Sequence, residues 1–356
     1  MKNISDLELF KSTINHEYSG KFLFYAKFTE DLGNRIRKKC GIAENKSIES
    51  FFNLYQPLQI AMKPPENAVS PDYSSYYKDI EIPENAYIDE MGVLHLPGSM
   101  HHFTEYISPL RNADKFSEIE KYPFADFTNY SDKGMKEAVE AAHLVGRVTY
   151  NWVGYVYEES WQIRGYENFL EDMILNPEWC GYIMDKMKER NIINAKAAAK
   201  AGVDFLLTGD DVANQRALMF SPDMWRKTMK NRWGEVYEAA RAIKPDIQIW
   251  YHSDGNIEEI IPDLIEIGVT ILNPIQPECM DAARIKKKYG DRIVFDGTIG
   301  TQSVMPFGTP EDVRKTVKEN LKSLGYDGAL ILSPTHILEP EVPIENIIAF
   351  FEAAGE

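Results

Sequence analysis

From about Gly202 onward, short apolar segments alternate with amphipathic helical segments. Each apolar segment ends in a polar turn that contains glycine or proline, which is typical of strands buried on both faces of a parallel sheet. Consecutive strand–helix units with short connections form right-handed βαβ crossovers, so the pattern predicts a parallel α/β sheet. The segments are VDFLLTGDD (203–211), IQIWYHSDG (247–255), VTILNPIQP (269–277), RIVFDGTIG (292–300) and GALILSP (328–334).

The helices between these strands begin with recognisable signals. Ser221 followed by Pro222 is an N-cap residue with proline at the first helical position. Thr309 and Asp312 form the capping box of a later helix. In the first half, the pattern predicts strands over 20–28 and 147–157, a helix from about Trp161, and another helix over 177–200.

The length of the chain distinguishes between two folds that could contain these strand–helix units. A doubly wound sheet and a closed barrel both accommodate five units, but 356 residues suit a barrel of about 250 residues with insertions. No glycine-rich dinucleotide fingerprint follows any of the strands, which disfavours a Rossmann fold. We therefore predict a single-domain (β/α)₈ TIM barrel over 1–356. Residues 56–130 form an irregular N-terminal insertion, and one of the eight strands is hard to locate there.

Charge and cysteine content exclude several classes of function. The net charge of −16 argues against binding to nucleic acid or to an anionic membrane surface. Three widely spaced cysteines do not form a disulfide framework, and no apolar run has the roughly 20 residues that span a bilayer. We expect a cytoplasmic protein, and a homodimer remains open beside a monomer.

Polar side chains stand at the ends of most of the expected strands. Because the carboxyl ends of parallel barrel strands meet in one mouth, these residues are the candidates for a functional site. Of the neighbouring pairs 158–159 and 210–211, we expect one member each to face the site, and the sequence does not say which. The candidates are Glu158, Glu159, Asp210, Asp211, His252, Asp254, Asn273, Gln276, Asp296 and His336.

His252 and Asp254 are two residues apart at a strand end, so their side chains point to the same side. Imidazole and carboxylate are good Zn²⁺ ligands, and a catalytic zinc keeps three protein ligands and one open position. His336 is a candidate third ligand, and Glu158 or an aspartate of the 210–211 pair would support the shell. The alternative is that both histidines work in the site without a metal.

Other residues are weaker candidates. Tyr157 and Trp161, in an aromatic-rich stretch, are candidates to stack on a substrate, although such residues more often belong to the core. His95, His101 and His102 lie in the insertion and are interpreted as surface residues, with a lid as the alternative.

Most of the chain resembles the uroporphyrinogen decarboxylase superfamily. That resemblance implies a (β/α)₈ barrel and one of two chemistries, namely cofactor-free decarboxylation of uroporphyrinogen or methyl transfer involving a corrinoid, usually with zinc. The matching segments are GDDVANQRALMFSPDMWRK, IWYHSDGNIEEIIPDLIEIGVTILNPIQPE, VFDGTIGTQSVMPFGTPEDV and LSPTHILEPEVPIENIIAFF, with looser agreement in YIDEMGVLHL, ISPLRNADKF and YEESWQIRGYENFLEDM.

Within that superfamily the chain is more similar to the methyltransferases. Glu30 and Asp31 stand where the decarboxylases carry an arginine-rich loop, although His336 matches the decarboxylase histidine. Compared with methylcobamide:thiol methyltransferases, His252 matches the zinc-binding histidine, while Asp254 and His336 replace the two cysteines. A harder nitrogen and oxygen site suits a soft thiolate system poorly.

The segment YEESWQIRGYENFL resembles corrinoid-dependent demethylating methyltransferases. The resemblance implies transfer of a methyl group from a small O- or N-methylated compound to the Co(I) corrinoid of a separate partner protein. The alternatives are a porphyrinogen-type decarboxylase, a methylcobamide:thiol methyltransferase, or a barrel that binds its ligand without turnover. The expected catalytic residues are His252, His336, Asp211 and Glu158; the expected zinc ligands are His252, Asp254 and His336; the expected substrate-binding residues are Asp210, Asn273, Gln276, Asp296, Tyr157 and Trp161.

Overall fold

A computed structural model describes residues 4–68, 71–97 and 104–356 of the chain. It contains one sheet of eight parallel strands and a separate antiparallel sheet of three. The strands are β1 (Leu23–Phe24), β2 (Leu58–Gln59), β3 (Tyr87–Ile88), β4 (Leu94–Pro97), β5 (Thr104–Ile107), β6 (Thr149–Gly154), β7 (Phe205–Gly209), β8 (Gln248–His252), β9 (Ile271–Asn273), β10 (Val294–Asp296) and β11 (Leu330–Leu332).

Helices follow the strands of the large sheet and cover its outer face. Single turns of 3₁₀ helix occur at Ser74–Tyr77 and Glu258–Ile260, and a π-helical turn, Arg226–Lys230, joins two of the helices. In the described part of the chain, no helix is both long enough and apolar enough to cross a bilayer. The helices are α1 (Asp6–Ile14), α2 (Glu30–Cys40), α3 (Ile48–Phe52), α4 (Phe116–Glu120), α5 (Met135–Leu144), α6 (Tyr157–Arg164), α7 (Tyr166–Leu175), α8 (Pro177–Ala201), α9 (Pro222–Trp225), α10 (Asn231–Arg241), α11 (Ile261–Ile267), α12 (Ala282–Tyr289), α13 (Val304–Phe307), α14 (Pro310–Ser323) and α15 (Ile344–Gly355).

The eight parallel strands are arranged in chain order around a barrel. The sheet runs β1-β11-β10-β9-β8-β7-β6-β2, so every strand except the two at its ends has its chain neighbours beside it. The end strands β1 and β2 are not paired with each other, but the N–H of Tyr55, three residues before β2, donates a backbone hydrogen bond of 2.8 Å to the Phe24 carbonyl in β1. The curled sheet of eight parallel strands with alternating helices confirms the predicted (β/α)₈ fold class.

Side chains alternate between the two faces of each strand, and this alternation decides which residues meet inside the barrel. Phe205, Trp250 and Ile271 point inward and pack with Phe10 of α1, which covers the amino-terminal end of the barrel. Their neighbours Leu206, Ile249, Tyr251 and Leu272 point outward to the helices. The same alternation carries His252, two residues after Trp250, to the inside of the barrel mouth.

The insertion over 56–130 contains more structure than its sequence suggests. The barrel strand that was hard to locate in the sequence is β2, which is only two residues long. Strands β3, β4 and β5 of the insertion form the antiparallel sheet. Buried tyrosines of the insertion, among them Tyr73 and Tyr77, pack with Ile183 and Met187 of α8. The insertion is therefore a small subdomain fixed to the side of the barrel.

Several boundaries differ from the sequence prediction. The regular strands within 20–28 and 147–157 shorten to β1 and β6, and α6 begins at Tyr157 rather than near Trp161. His95 is not a surface residue, because its ring is largely buried and its Nε2 lies 2.7 Å from an Asp89 carboxylate oxygen. His101 and His102 lie outside the described residues.

Candidate functional site

His252 is the last residue of β8, and its ring is held from two sides. Its Nδ1 lies 2.8 Å from the Asn273 side-chain oxygen, at the end of the neighbouring strand β9. The ring also stacks nearly parallel on Trp250, with 5.9 Å between ring centroids and 6° between planes. These contacts leave Nε2 directed into the barrel mouth.

Two carboxylates converge on that nitrogen. One donor atom each from Asp211, His252 and Asp254 lies within 4.8 Å of the others. Asp211 Oδ1 is 3.8 Å from His252 Nε2 and accepts a 2.8 Å hydrogen bond from the Asp254 backbone N–H. We call these three residues the acid–histidine cluster. Sequence reasoning placed His336 in this group, whereas the structure places Asp211 there.

The turn that carries Asp254 is fixed by its neighbours. Gly255 has φ +85°, and a Cβ at this position would lie 2.5 Å from the Asn214 carbonyl oxygen, so only glycine fits without strain. The Gly255 N–H donates to Gln276 Oε1 at 3.2 Å. Gln276 therefore holds this turn, and it also borders the cavity next to Asp254.

Glu158 approaches the cluster from the first turn of α6. Its Oε1 accepts a 3.0 Å hydrogen bond from the Asp211 N–H. Burial, and then the negative charges of Asp211 and Asp210, raise the pKa of Glu158 well above its usual range. Burial also raises the pKa of Asp254, while His252 and His336 act in the opposite direction. The site thus gathers more negative charge than its surroundings neutralise.

The structure separates the members of each ambiguous pair. Asp210 Oδ1 accepts from the backbone N–H groups of residues 156, 157 and 158 at 3.1, 2.7 and 3.0 Å, and its Oδ2 accepts from Trp233 Nε1 at 2.8 Å. It is fully buried, so it caps α6 and is not presented to a substrate, contrary to our expectation. Glu159 pairs with Arg190, which leaves Glu158 to face the cluster.

A cavity of about 270 Å³ opens beside His252, and we call it the aromatic cavity. A second cavity of about 400 Å³ lies on the other side of Asp254; it also borders His336, together with amide and hydroxyl side chains, and we call it the polar cavity. His336 is exposed and borders both, so residues 252 and 336 share one mouth as predicted. The aromatic cavity is lined by Tyr25, Lys27, Trp152, Tyr155, Leu207, Trp250, His252, Asn273, Pro334, Thr335, His336 and Ile337.

Asp296 lies deeper, inside the barrel. It is 2% exposed and accepts hydrogen bonds from Trp250 Nε1 at 2.8 Å, Ser333 Oγ at 3.0 Å and the Tyr25 hydroxyl at 3.1 Å. Burial raises the pKa of Asp296 to about 6, against the opposite effect of these donors. It borders a third, inner cavity of about 290 Å³, while its oxygens are occupied by protein donors. Asp296 is thus a buried hydrogen-bond acceptor that holds the Trp250, Ser333 and Tyr25 side chains beneath the site.

The two aromatic residues expected to bind substrate, Tyr157 and Trp161, do not line the cavities described above. Tyr157 is fully buried between Phe169 and Phe220, and Trp161 packs edge-on against Tyr106 and Tyr166, away from the cavity linings. Four aromatic side chains line the aromatic cavity, namely Tyr25, Trp152, Tyr155 and Trp250. Trp152 and Tyr155 lie in the aromatic-rich stretch that the sequence pointed to, whereas Tyr25, Trp250 and the cation Lys27 were missed. Trp250 had a usable signal, because it stands two residues before His252 and so shares its face.

The acid–histidine cluster has the chemistry of a divalent-cation site. Two carboxylates and one imidazole nitrogen are donor types that zinc and harder divalent metals accept. Cys279 is close enough for its thiol pKa to be raised by Glu278 and Asp254, after burial, yet it is not part of the cluster. The donor atoms present therefore fit a metal bound without thiolate.

Comparison with known proteins places the chain in a family. A family model described as "Uroporphyrinogen decarboxylase (URO-D)" matches residues 150–356. A solved methyltransferase from Methanosarcina mazei superimposes with a TM-score of 0.67 and 17% identity, covering 99% of this chain and 98% of that one. No curated protein sequence matches this chain.

Two further solved structures show weaker similarity. A GH10 xylanase with a bacterial Ig-like domain from termite gut gives a TM-score of 0.38 at 11% identity, covering 64% of this chain and 65% of that one. A Podospora anserina GH26 mannanase gives 0.33 at 12% identity, covering 99% and 59%.

Proposed function

The chain belongs to the uroporphyrinogen decarboxylase family, and from this premise we propose that it is a methyltransferase. It takes the methyl group of a small O- or N-methylated compound and delivers it to the Co(I) corrinoid of a separate protein. The observation that carries the proposal is the acid–histidine cluster facing an aromatic cavity at the barrel mouth. The full-length structural similarity to a methyltransferase agrees with it in fold.

The reaction needs help at the leaving atom. As the methyl carbon bonds to cobalt, its bond to oxygen or nitrogen breaks, and the leaving atom keeps the electron pair and takes a proton. A divalent cation bound by Asp211, His252 and Asp254 would polarise that leaving atom as a Lewis acid. Glu158, whose pKa is raised well above its usual range, lies against Asp211 at the edge of this cluster, and we assign it the role of supplying the proton to the leaving atom.

The cavities suit the two reactants. The aromatic cavity offers flat apolar walls and the Lys27 ammonium to the methyl donor. The polar cavity, lined by Gln215, Gln276 and Gln302 among others, offers amide partners to the amide-bearing rim of a corrinoid. His336 stands between them and is exposed, so we assign it to proton transfer or contact with the corrinoid rather than to the metal.

The charge of the mouth disfavours the decarboxylase alternative. Uroporphyrinogen carries eight carboxylates, whereas Asp211 and Asp254 put negative charge at the metal-free site, and like charges repel. Glu30 and Asp31 occupy the first turn of α2, where the decarboxylases are rich in arginine. The metal-ligand chemistry disfavours the thiol methyltransferase alternative, because the cluster contains no cysteine.

Incubation with cob(I)alamin and a panel of methanol, methyl ethers and methylamines tests the proposal. We expect at least one donor to convert Co(I) to methylcobalamin, followed by its absorption spectrum, only when the chain is present. The His252→Ala and Asp211→Asn variants should lose this activity while Asp31→Asn, at an exposed helix position, keeps it. Release of CO₂ from uroporphyrinogen, with no methylation of Co(I) by any donor, would overturn the proposal.

A further inference from the structure

The inside of an eight-stranded barrel is normally filled by layers of side chains, and this barrel departs from that rule on one side. The inner cavity, of about 290 Å³, lies among inward-facing side chains of the strands and is bordered by Asp296. It reaches the seam of the sheet, where β1 and β2 are only two residues long and are not paired with each other. Gln56 and Pro57, just before β2, border the cavity at this seam. The incomplete seam therefore leaves room for a ligand in the barrel interior.

The inner cavity adjoins the aromatic cavity beside the acid–histidine cluster. Tyr25, Lys27, Leu207 and Trp250 border both cavities. Two of these side chains are held in place, because the Tyr25 hydroxyl and the Trp250 indole N–H both donate to Asp296. Pockets for small molecules have volumes of about 300–1,000 Å³, a range that the two cavities reach only together. A ligand that starts at the cluster can therefore extend past Trp250 into the barrel.

The walls of the inner cavity are mostly apolar. Phe10, Ile271 and Ile331 border it, together with the Tyr150 ring, which stacks on Phe205 with 5.2 Å between centroids and 10° between planes. A cavity of about 150 Å³ with aliphatic and aromatic walls is large enough to bind benzene. The inner cavity has nearly twice that volume, so it accommodates one aromatic ring with a substituent.

One polar group at this cavity has no partner. Tyr55 is 7% exposed, packs with the inward-facing residues of the barrel, and has its ring centroid 6.3 Å from that of Tyr25. Within the described residues, its buried hydroxyl makes no hydrogen bond. A buried hydroxyl without a partner is destabilising, so a ligand that brings an acceptor to it gains a hydrogen bond. Tyr55 also borders a separate cavity of about 590 Å³ near α1, α14 and α15.

We propose that the inner cavity is a subsite for the far end of the methyl donor. The donor is then an aryl methyl ether or an N-methyl arylamine whose methyl group lies at the acid–histidine cluster. A second flat, apolar group of the donor occupies the inner cavity and carries a hydrogen-bond acceptor for Tyr55. Methanol and methylamines are too small to reach from one cavity to the other. The inference rests on the proposed function only in calling the ligand a methyl donor, because the subsite can be tested by binding alone.

Three ligands that differ by one feature each test the subsite by isothermal titration calorimetry without cobalamin. The first, 4-(4-methoxybenzyl)phenol, has two rings and a distal hydroxyl. The second, 4-benzylanisole, lacks the hydroxyl, and the third, 4-methoxyphenol, lacks the second ring. Burial of a ring of this size raises affinity about 10–100-fold. We therefore expect the wild type to bind the two-ring phenol that much more tightly than 4-methoxyphenol.

Two variants locate the second ring. Ile331 borders the inner cavity and does not border the aromatic one, so Ile331→Phe should weaken binding of the two-ring ligands at least about 5-fold by crowding. Binding of 4-methoxyphenol should be unchanged, and Ile243→Phe, the same substitution at an exposed position, is the control. Tyr55→Phe should weaken binding of the two-ring phenol about 2–10-fold and leave 4-benzylanisole unchanged. This second variant decides the question if Ile331→Phe does not fold.

Equal affinity of the wild type for the one-ring and two-ring phenols would overturn the inference. Full affinity of a folded Ile331→Phe protein for the two-ring ligands, or of Tyr55→Phe for the two-ring phenol, would do the same, because the second ring would then lie elsewhere. If the variants behave as expected and no donor methylates cob(I)alamin, the subsite stands and the proposed function fails. Methylation by methanol or methylamines, with no binding of the two-ring ligands, would remove the subsite and leave the proposed function.

Discussion

Variants of Asp210 test most directly whether this residue has a structural role or binds substrate. Its Oδ1 accepts from the N–H groups of residue 156, just before α6, and of residues 157 and 158 in its first turn, and its Oδ2 accepts from the Trp233 indole N–H. The Asp210→Ala substitution leaves these four donors without an acceptor at a fully buried position. An unsatisfied buried donor costs about 1–3 kcal/mol, and water entering the vacated space recovers part of the total, so we expect a loss of about 3–5 kcal/mol.

Asp210→Asn tests the same geometry more finely. The amide oxygen can still accept the three backbone N–H groups, but its NH₂ then faces the indole N–H, donor against donor. We expect a cost of about 2–3 kcal/mol. Trp233→Phe removes the opposing donor, so the double variant Asp210→Asn/Trp233→Phe should be less destabilised than the sum of the two single variants.

Urea denaturation followed by tryptophan fluorescence and by circular dichroism measures these differences. The two signals should coincide if unfolding is two-state. The α6 turn also carries Glu158, so Asp210→Ala should weaken metal binding through displacement of Glu158 and Asp211. An Asp210→Ala protein as stable as the wild type, or strict additivity in the double variant, would refute this reasoning.

Two further predictions follow from other groups. The raised pKa of Glu158 lets the folded state hold a proton that the unfolded state releases above about pH 4. The metal-free wild-type protein should therefore lose stability, relative to Glu158→Gln, as the pH rises from about 5 to 8. Saturating zinc should remove that slope, and parallel melting curves for the two proteins would contradict it. Asp327→Ala leaves the buried ammonium of Lys286 without its two contacts of 2.8 and 2.9 Å, and should cost about 3–5 kcal/mol in urea denaturation. The matched exposed pair gives the control, since Asp246→Ala beside Lys244 should cost under about 1 kcal/mol.

The barrel was predictable because its signal is local and repeated. Strands β7 to β11 are buried on both faces and therefore read as apolar runs, and the capping signals at Ser221 and Thr309 are present in the structure. Strand β2 was not predictable, because its two residues are only half-buried or exposed and follow no apolar run. Its place is set by pairing with β6 rather than by its own sequence.

The sequence predicted which strand ends carry the site residues, but it did not predict which neighbouring residue faces the site. Asn273 and His252 meet because period-two alternation carries both inward, a rule that the sequence obeys. Beyond the last strand residue the alternation ends, so nothing local separates Asp210 from Asp211. The difference comes from α6: backbone N–H groups at its start hydrogen-bond to the Asp210 carboxylate, and Asp211 is left facing the barrel mouth. His336 lies outside the acid–histidine cluster, because its loop leaves it exposed at the rim of the mouth.

Under the proposed function, the acid–histidine cluster and Glu158 would supply both kinds of help to the leaving group. Asp211 and Asp254 lie beside the His252 imidazole and Glu158 lies against Asp211 in a partly buried mouth, so the repulsion between these carboxylates must be relieved. A bound divalent cation would relieve this repulsion and would act as the Lewis acid of the proposed reaction. Without a cation, protons would relieve it, and the raised pKa of Glu158 suits that residue to the proposed role of general acid. Zinc and protons therefore compete for one set of oxygens, so zinc binding should release protons to the solvent. Calorimetric titration in buffers of different ionisation enthalpy counts those protons, and zinc binding that releases none from the wild type at about pH 7 would show that the carboxylates are already ionised and the argument is wrong.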